Sequence, residues 1–248
     1  MEVTGFSTPF DFKSVDLLEK LNVPAYKVAS GDATNIPMIK YIAETGKPVI
    51  VSTGGCNMSE VQRIYDEVMA INPQLALLQC TCIYPAPPDV QNLRVVGTYR
   101  ESFPDVVTGL STHNPNWWVN LAAYALGGRI FENHFTTDRT LKGTDQAFSL
   151  TPDMLREYRT AIDEVAVAMG SADKFQESIE EAPTLERRKK LVWANDLEAG
   201  HLVVAGDAVA KCPGDGVGPW MLDQIEGRKV REAVAAESDV RLTQMVES

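Results

Sequence analysis

Long apolar runs are missing from this sequence of 248 residues. A membrane-spanning helix needs about 20 consecutive apolar residues, and no segment approaches that length. The start, MEVTGFSTPFD, also lacks the basic and apolar segments of a secretory signal peptide. We therefore expect a protein with no membrane partner.

Cysteine and positive charge are also scarce. The four cysteines (Cys56, Cys80, Cys82 and Cys212) lack the paired spacing of a disulfide framework, which favours a reducing, cytoplasmic location. Lysine and arginine number 23 against 34 aspartate and glutamate residues, so the net charge is −11. Because such a chain repels nucleic acid, we expect no nucleic-acid partner. An anionic ligand would need locally placed cations, a metal ion or backbone N–H groups.

Six apolar runs of strand length recur up to about residue 170, and a helical pattern follows each of them. The runs are apolar throughout rather than alternating, which is typical of strands buried on both faces of a sheet. Repeated βα units predict a (β/α) barrel or a doubly wound sheet. The predicted strands are 3–7, 25–29, 48–52, 75–80, 106–111 and 129–135; the predicted helices are 12–21, 36–45, 59–71, 93–103, 116–126 and 151–169, with Ser59 as the expected N-cap of the third.

The pattern changes after residue 170. Residues 171–186 are charged and lack a strand pattern, which predicts a linker. In residues 187–248 short apolar runs are separated by turn-forming sequences such as PGDG, which is typical of a small domain of irregular strands. The predicted organisation is a partial barrel domain at 1–170, a linker at 171–186 and a β-rich domain at 187–248.

Small hydroxyl side chains end most of the predicted strands. In parallel α/β folds the strand ends meet at one mouth, where reactive groups cluster. A ring of hydroxyls is able to share the oxygens of a phosphate, and Lys27, three residues before Ser30, would supply a cation. The alternative is that these residues end strands only because they favour turns. The strand-end residues are Ser7 and Thr8; Ser30; Ser52 and Thr53; Thr81 and Cys82; Ser111, Thr112 and His113; and Glu132, Asn133 and His134.

Two of the three histidines, His113 and His134, end neighbouring predicted strands. Both imidazoles would then reach one point, and imidazole suits a divalent ion such as Mn²⁺ or Zn²⁺. A hydrogen-bonded pair of core histidines is the alternative. Glu132 shares the strand face of His134, and a carboxylate buried there needs a partner or has a chemical role. Asp145, on the following loop, is a candidate for binding sugar hydroxyls or moving protons, so Glu132 and Asp145 are the candidate catalytic residues.

Short motifs along the chain resemble, in their order, those of the N-acetylneuraminate (sialic acid) synthase family. They are STPFD, YKVASGD, GKPVIVSTGG, LLQCTCIYPAPP, NLR, GLSTH, ENHFT and DRTLKGTDQAFSL. The segment from AGHLVV to KCPGDGVGP resembles the antifreeze-like (SAF) domain that follows the barrel in that family. No single motif is specific, but the ordered set spans nearly the whole chain.

The resemblance implies a TIM-type (β/α) barrel followed by an antifreeze-like domain. It implies an enzyme that condenses phosphoenolpyruvate with N-acetylmannosamine or a related N-acetylhexosamine, giving a nonulosonic acid and phosphate. A divalent metal, Mn²⁺ or Mg²⁺, would be held by His113 and His134, and the protein would be a homodimer with exchanged antifreeze-like domains. The implied substrate-binding residues are Thr8, Lys27, Ser30, Ser52 and Ser111 for phosphoenolpyruvate, and Tyr84 and Asp145 for the sugar.

The sequence departs from the family pattern at three points. Many bacterial relatives have an asparagine that contacts phosphoenolpyruvate at the position of Cys82. They have an arginine at the position of Cys212 that reaches the sugar in the partner's barrel, so we expect a different contact to the sugar's N-acyl group here. The family barrel has eight βα units, whereas six are predicted in this sequence. We therefore expect the first two units, with a lysine and a glutamate of the site, to be missing.

Two other functions remain open. Lys27 is a candidate Schiff-base nucleophile for an aldolase-type barrel enzyme. A chain that lacks part of its barrel is alternatively a non-catalytic binding or dimerisation module. Trapping of Lys27 with a keto acid and borohydride would support the first alternative, and absence of turnover with both substrates would support the second.

Overall fold

The fold is described for residues 3–246 by a computed structural model. It divides into two units, Met1–Gly170 and Ser171–Ser248. The outer limits of the two predicted domains, residues 1 and 248, lie outside the described residues. Within residues 3–246 no helix is both long enough and apolar enough to cross a membrane.

A parallel sheet of five strands, in the order β1-β2-β3-β4-β5, forms the centre of the first unit. Every residue of β3 is buried, because strands covered on both faces carry apolar side chains throughout. The strands are β1 (Tyr26–Val28), β2 (Val49–Ser52), β3 (Leu75–Cys80), β4 (Val107–Thr112) and β5 (Ile130–Asn133). The helices are α1 (Phe12–Lys20), α2 (Ile36–Ala43), α3 (Met58–Met69), α4 (Arg94–Ser102), α5 (Trp118–Ala125) and α6 (Pro152–Ala168).

The helices bury one apolar face each against the strands. Helix α3 does so with Val61, Ile64 and Val68, which recur at the spacing of one helix face. The main core cluster combines such residues of α1, α2 and α3 with the apolar residues of β1, β2 and β3. A smaller cluster of Val96, Leu110, Val119 and Ala123 packs β4 between α4 and α5.

The structure corrects two predictions in this unit. Residues 3–7 form no strand and contribute one parallel bridge, Ser7 to Tyr26, so five strands replace the predicted six in the described residues. Val3 is 81% exposed, which shows that this apolar run buries no face against the sheet. The N-cap of α3 is Asn57, whose side chain accepts from the Glu60 N–H in a capping box, and the predicted cap Ser59 lies inside the helix.

The second unit has a hydrophobic core of its own. Strands β6 (Lys190–Trp193) and β7 (Ala208–Lys211) form an antiparallel pair. Isolated bridges connect other short segments of the unit, which agrees with the prediction of irregular strands. Helix α7 (Glu181–Arg187) lies largely in the segment predicted as a linker, where Glu, Ala and Leu favour helix. The core consists of Leu191, Trp193, Leu197, Val203, Ile225, Val230, Val234, Val240 and Met245.

Candidate active site

The register of the sheet aligns polar side chains at its carboxyl end. Cys80 pairs with Ser111 across β3 and β4, and Ser111 pairs with Glu132 across β4 and β5. Side chains two residues apart on a strand share a face, so His113 and His134 continue this row beyond Ser111 and Glu132. The sheet thereby assembles groups that are far apart in the sequence.

A cavity of about 150 Å³ lies at this end of the sheet. Eight of the ten predicted site residues line it, which places the strand ends around one point as predicted. Their roles in binding and catalysis stay predictions. The lining residues are Lys27, Ala29, Ser30, Ser52, Cys80, Tyr84, Ser111, His113, Glu132 and His134.

Lys27 and Glu132 form an ion pair in the cavity. Lys27 Nζ lies 3.3 Å from Glu132 Oε2, and Ser52 Oγ donates a hydrogen bond to the same oxygen at 3.0 Å. Burial lowers the pKa of Lys27, and the neighbouring Glu132 carboxylate opposes that shift. The Glu132 side chain is 41% exposed and that of Lys27 is 8% exposed, so the pair reaches solvent on its glutamate side.

Ser30 and Cys80 form the wall next to this ion pair. Ser30 Oγ accepts a hydrogen bond from the Gly54 N–H at 3.0 Å. A Cβ at Gly54 would lie 2.8 Å from Ser30 Oγ and overlap Cys82 Sγ, so a side chain there would displace both groups. Burial raises the pKa of Cys80, although hydrogen bonds with Ser30 and Ser111 oppose the shift, and its thiol therefore stays protonated at neutral pH.

Cys80 and Gly54 were not among the predicted site residues. The fourth predicted strand, 75–80, has the bounds of β3, and Thr81 and Cys82 directly after it were the predicted strand-end residues. Cys80, the last residue within the strand, lines the cavity instead. The glycine pair in VSTGG was the signal for Gly54, because a glycine directly after a strand often marks close approach of another group.

An aromatic cluster closes another side of the cavity. The ring centres of Tyr84 and His113 are 3.8 Å apart, and those of His113 and His134 are 5.3 Å apart. His113 Nδ1 lies 2.9 Å from the Thr81 carbonyl oxygen, and since a carbonyl only accepts, Nδ1 carries the proton and Nε2 keeps its lone pair. Burial lowers the pKa of His113, which favours a neutral imidazole.

Two predicted site residues lie outside the cavity lining. Asp145 is on the loop after β5, and its Oδ2 lies 3.4 Å from His134 Nδ1, so it contacts a histidine of the site. Thr8 follows the bridge residue Ser7 and is half-buried. Its contact with phosphoenolpyruvate stays a prediction.

Comparison with known proteins identifies the family to which this chain belongs. The NeuB family matches residues 1–174. The chain belongs to the NeuB family. It is 34% identical to the N-acetylneuraminate-9-phosphate synthase of Mus musculus over 239 residues, or 96% of this chain and 66% of the relative. It is also 34% identical to an N,N'-diacetyllegionaminic acid synthase of Campylobacter jejuni over 229 residues, or 91% of this chain and 68% of the relative.

A solved structure of the NeuB group also resembles the chain. The sialic acid synthetase of Leptospira borgpetersenii superposes with a TM-score of 0.69 at 28% identity, over 73% of this chain and 63% of that one. Together with the five parallel strands, this likeness gives the first unit an α/β barrel-like fold. The chain spans about two thirds of the length of the curated NeuB relatives it matches.

The histidine pair fits one divalent ion. Two imidazoles bound at about 2.1 Å to neighbouring positions of one ion have ring centres roughly 5 Å apart, close to the 5.3 Å between the ring centres of His113 and His134. Ligating histidines usually donate their second N–H to a carbonyl or carboxylate, and Thr81 O and Asp145 lie beside the two Nδ1 atoms. Among residues 3–246 no group of three or more His, Cys, Asp or Glu side chains is arranged to hold an ion. Water or substrate oxygens would therefore complete the coordination.

Proposed function

We propose that this NeuB-family chain condenses phosphoenolpyruvate with N-acetylmannosamine or a related amino sugar, giving a nonulosonic acid and phosphate. The observation that carries the proposal is the cavity in which a buried lysine, three serine hydroxyls, a glutamate and two histidines meet. The relatives support the product class, because they are named as synthases of N-acetylneuraminate 9-phosphate, diacetyllegionaminic acid and pseudaminic acid.

Lys27 and the three serines are suited to hold the phosphoenolpyruvate anion. In a chain of net charge −11 the anion is not attracted by the overall field, so a local cation is needed. Lys27 supplies that charge, and Ser30, Ser52 and Ser111 supply hydroxyl donors around it. The anion would share Lys27 with Glu132, and it would displace the hydrogen bond from Ser52 to that carboxylate.

The reaction forms one carbon–carbon bond and one carbon–oxygen bond, and it breaks the bond between C2 and the phosphate oxygen. C3 of phosphoenolpyruvate attacks the aldehyde carbon of the open-chain sugar, and the aldehyde oxygen gains a proton. Water adds at C2 and gives one proton to a base. The new hydroxyl then loses its second proton as phosphate leaves with the electrons of the C2–O bond, which leaves the 2-keto group of the product. We assign the base to Glu132, which lies beside Lys27, and the sugar contacts to Tyr84 and Asp145.

A divalent ion, Mn²⁺ or Mg²⁺, would be held by His113 and His134. When bound, it would stabilise negative charge that develops on the sugar carbonyl oxygen. The Thr81 carbonyl and Asp145 would keep both rings oriented toward the ion. The homodimer with exchanged second domains stays a prediction.

Product analysis tests this function. The full chain is incubated with Mn²⁺, phosphoenolpyruvate and, in turn, N-acetylmannosamine, its 6-phosphate and a diacetamido sugar, and products are identified by mass spectrometry. We expect one nonulosonic acid and one phosphate per sugar consumed, and no product from Glu132→Gln. Phosphate release without a sugar-containing product, or no turnover with any sugar, would overturn the proposal.

A Schiff-base aldolase is the second candidate, because burial lowers the pKa of Lys27 and a deprotonated amine is the nucleophile in such enzymes. Borohydride reduction in the presence of pyruvate separates the two candidates. The aldolase requires a covalent adduct on Lys27 in the mass spectrum. The synthase requires none.

A further inference from the structure

Two buried amides converge on one backbone carbonyl beside the site. Gln91 Nε2 donates to the Ala86 carbonyl oxygen at 3.0 Å, and Asn114 Nδ2 donates to the same oxygen at 2.9 Å. Gln91 and Asn114 are 3% and 2% exposed, and Ala86 is fully buried. Neither amide lines the cavity, and neither was predicted to belong to the site.

Further hydrogen bonds connect the loop that follows β3, residues 81–91, to the end of β4. The Thr112 hydroxyl donates to Gln91 Oε1 at 3.0 Å and accepts from the Asn114 N–H at 3.1 Å. The Ala86 N–H donates to the His113 carbonyl at 3.1 Å. Removing Gln91 leaves the buried Thr112 hydroxyl without its acceptor, and removing either amide leaves the Ala86 carbonyl with one donor instead of two.

The loop held in this way carries Tyr84. Its ring stacks on His113, yet Tyr84 is 54% exposed, so burial of its own side chain does little to fix its position. Ala86 lies two residues further along the chain and is anchored on both its N–H and its carbonyl. Besides its contact with His113, the ring therefore takes its placement from the anchoring of Ala86.

We propose that Gln91 and Asn114 are positioning residues that hold Tyr84 in place for the amino sugar. The inference rests on the proposed function, which assigns a sugar contact to Tyr84. It predicts a selective defect: loss of either amide weakens sugar use and changes phosphoenolpyruvate use much less. Lys27 and Ser52 belong to β1 and β2 and Ser30 follows β1, so only Ser111 of the phosphoenolpyruvate residues lies on β4.

Asn72 offers a matched control for Asn114. It is also buried, and it donates from Nδ2 to the Lys47 carbonyl at 2.8 Å and accepts from the Gln74 N–H at 3.0 Å. It lies just before β3, at the opposite end of the sheet from the cavity. Asn72→Ala and Asn114→Ala therefore remove similar hydrogen bonds at the two ends of the fold.

The test combines hydrogen exchange with steady-state kinetics on the full chain. In Asn114→Ala we expect amide exchange in residues 81–91 to rise about 10-fold and the KM for the sugar to rise about 5- to 10-fold. The KM for phosphoenolpyruvate should change less than about twofold, and Asn72→Ala should leave all three quantities unchanged. If Asn114→Ala does not fold, Gln91→Leu removes the other amide and gives the same comparison.

A double mutant separates positioning from general stability. If Asn114 acts through Tyr84, adding Asn114→Ala to Tyr84→Ala should change the sugar KM by less than about twofold. Additive effects, or unchanged exchange at residues 81–91 in Asn114→Ala, would overturn the inference. If the wild-type chain turns over no amino sugar, the proposed function fails, and the exchange measurement alone decides whether the amides hold the loop.

Discussion

At the scale of single residues, Lys27 and Lys47 provide a matched comparison. Each pairs with a glutamate, Lys27 with Glu132 at 3.3 Å and Lys47 with Glu19 at 2.8 Å, but only Lys27 lines the cavity. Lys27→Met should lower phosphoenolpyruvate affinity about 10- to 100-fold, because a charge-assisted contact to the anion is lost. Lys47→Met should change the phosphoenolpyruvate affinity by less than about twofold. Isothermal titration calorimetry measures both variants. Equal loss of phosphoenolpyruvate and sugar affinity in Lys27→Met would indicate a folding role instead.

The three histidines allow a similar comparison for the metal. His113→Ala and His134→Ala should each lower Mn²⁺ affinity by about 10-fold or more, since each removes one of two protein ligands. His201→Ala is the control, because His201 pairs with Asp207 in the second unit. Isothermal titration of the metal-free chain measures all three. Wild-type affinity in both site variants would rule out a shared ion at this pair.

Residue-level prediction from the sequence succeeded where strand periodicity carries the information. The alternation of faces was enough to place Glu132 with His134. The strand end at residue 80 was also predicted, but Cys80 was missed because the site residues were sought just beyond that end, at Thr81 and Cys82. Asp145 contacts His134 through a loop whose path has no periodic signal.

At the scale of secondary-structure elements, two glycines test the packing of β4. A Cβ at Gly109 would overlap the Ile130 carbonyl oxygen on β5, whereas a Cβ at Gly97, inside α4, would meet no atom closer than 3.9 Å. Gly109→Ala should therefore lower the free energy of unfolding by about 2 kcal/mol or more. Gly97→Ala should raise it by about 0.5–1 kcal/mol through better helix propensity. Urea denaturation of the full chain measures both, and equal effects would contradict the described approach of β4 and β5.

Asp207 makes the turn before β7 sensitive to acid. Burial raises its pKa, but hydrogen bonds from the Val204 N–H and His201 outweigh burial and leave the pKa below the ordinary 3.8. A carboxylate with a lowered folded-state pKa stabilises the fold fully above the unfolded pKa, and this stability is lost as the pH falls through the folded value. Hydrogen exchange of the backbone amides in residues 190–211 measures this stability. After correction for the pH dependence of the intrinsic exchange rates, their protection should decrease below about pH 4.

Asp207→Asn should remove that acid dependence and lower hydrogen-exchange protection at pH 7 by about 1 kcal/mol, since an amide oxygen accepts more weakly than a carboxylate from the Val204 N–H and His201. The control is Asp196→Asn, because Asp196 is exposed and accepts from one backbone N–H, that of Ala236. The same acid dependence in wild type and Asp207→Asn would show that other groups are responsible.

The helices and the inner strands were predictable because their apolar spacing is long and regular. The run 3–7 has strand composition, but pairing needs a neighbour on which to bury a face, and only Ser7 is bridged. The cap of α3 was misassigned by two residues, since Asn57 and Ser59 are both good caps and only the backbone geometry chooses between them.

At the scale of the whole molecule, the ordered motifs predicted the family, and the comparisons confirm it. Composition alone predicted a change of character after residue 170, where the second unit begins with a core of its own. The sugar of the proposed reaction was not predictable, because its recognition would rest on a few contacts by loop residues such as Tyr84 rather than on the strand pattern.

The central claim is that the cavity at the carboxyl end of the sheet binds both the metal ion and phosphoenolpyruvate. Anomalous diffraction from crystals of the full chain with Mn²⁺ and phosphoenolpyruvate tests it most directly. We predict an anomalous peak between His113 and His134, with the phosphate contacting Lys27, Ser30 and Ser52. A manganese peak away from both histidines, or phosphoenolpyruvate bound at another surface, would contradict the claim.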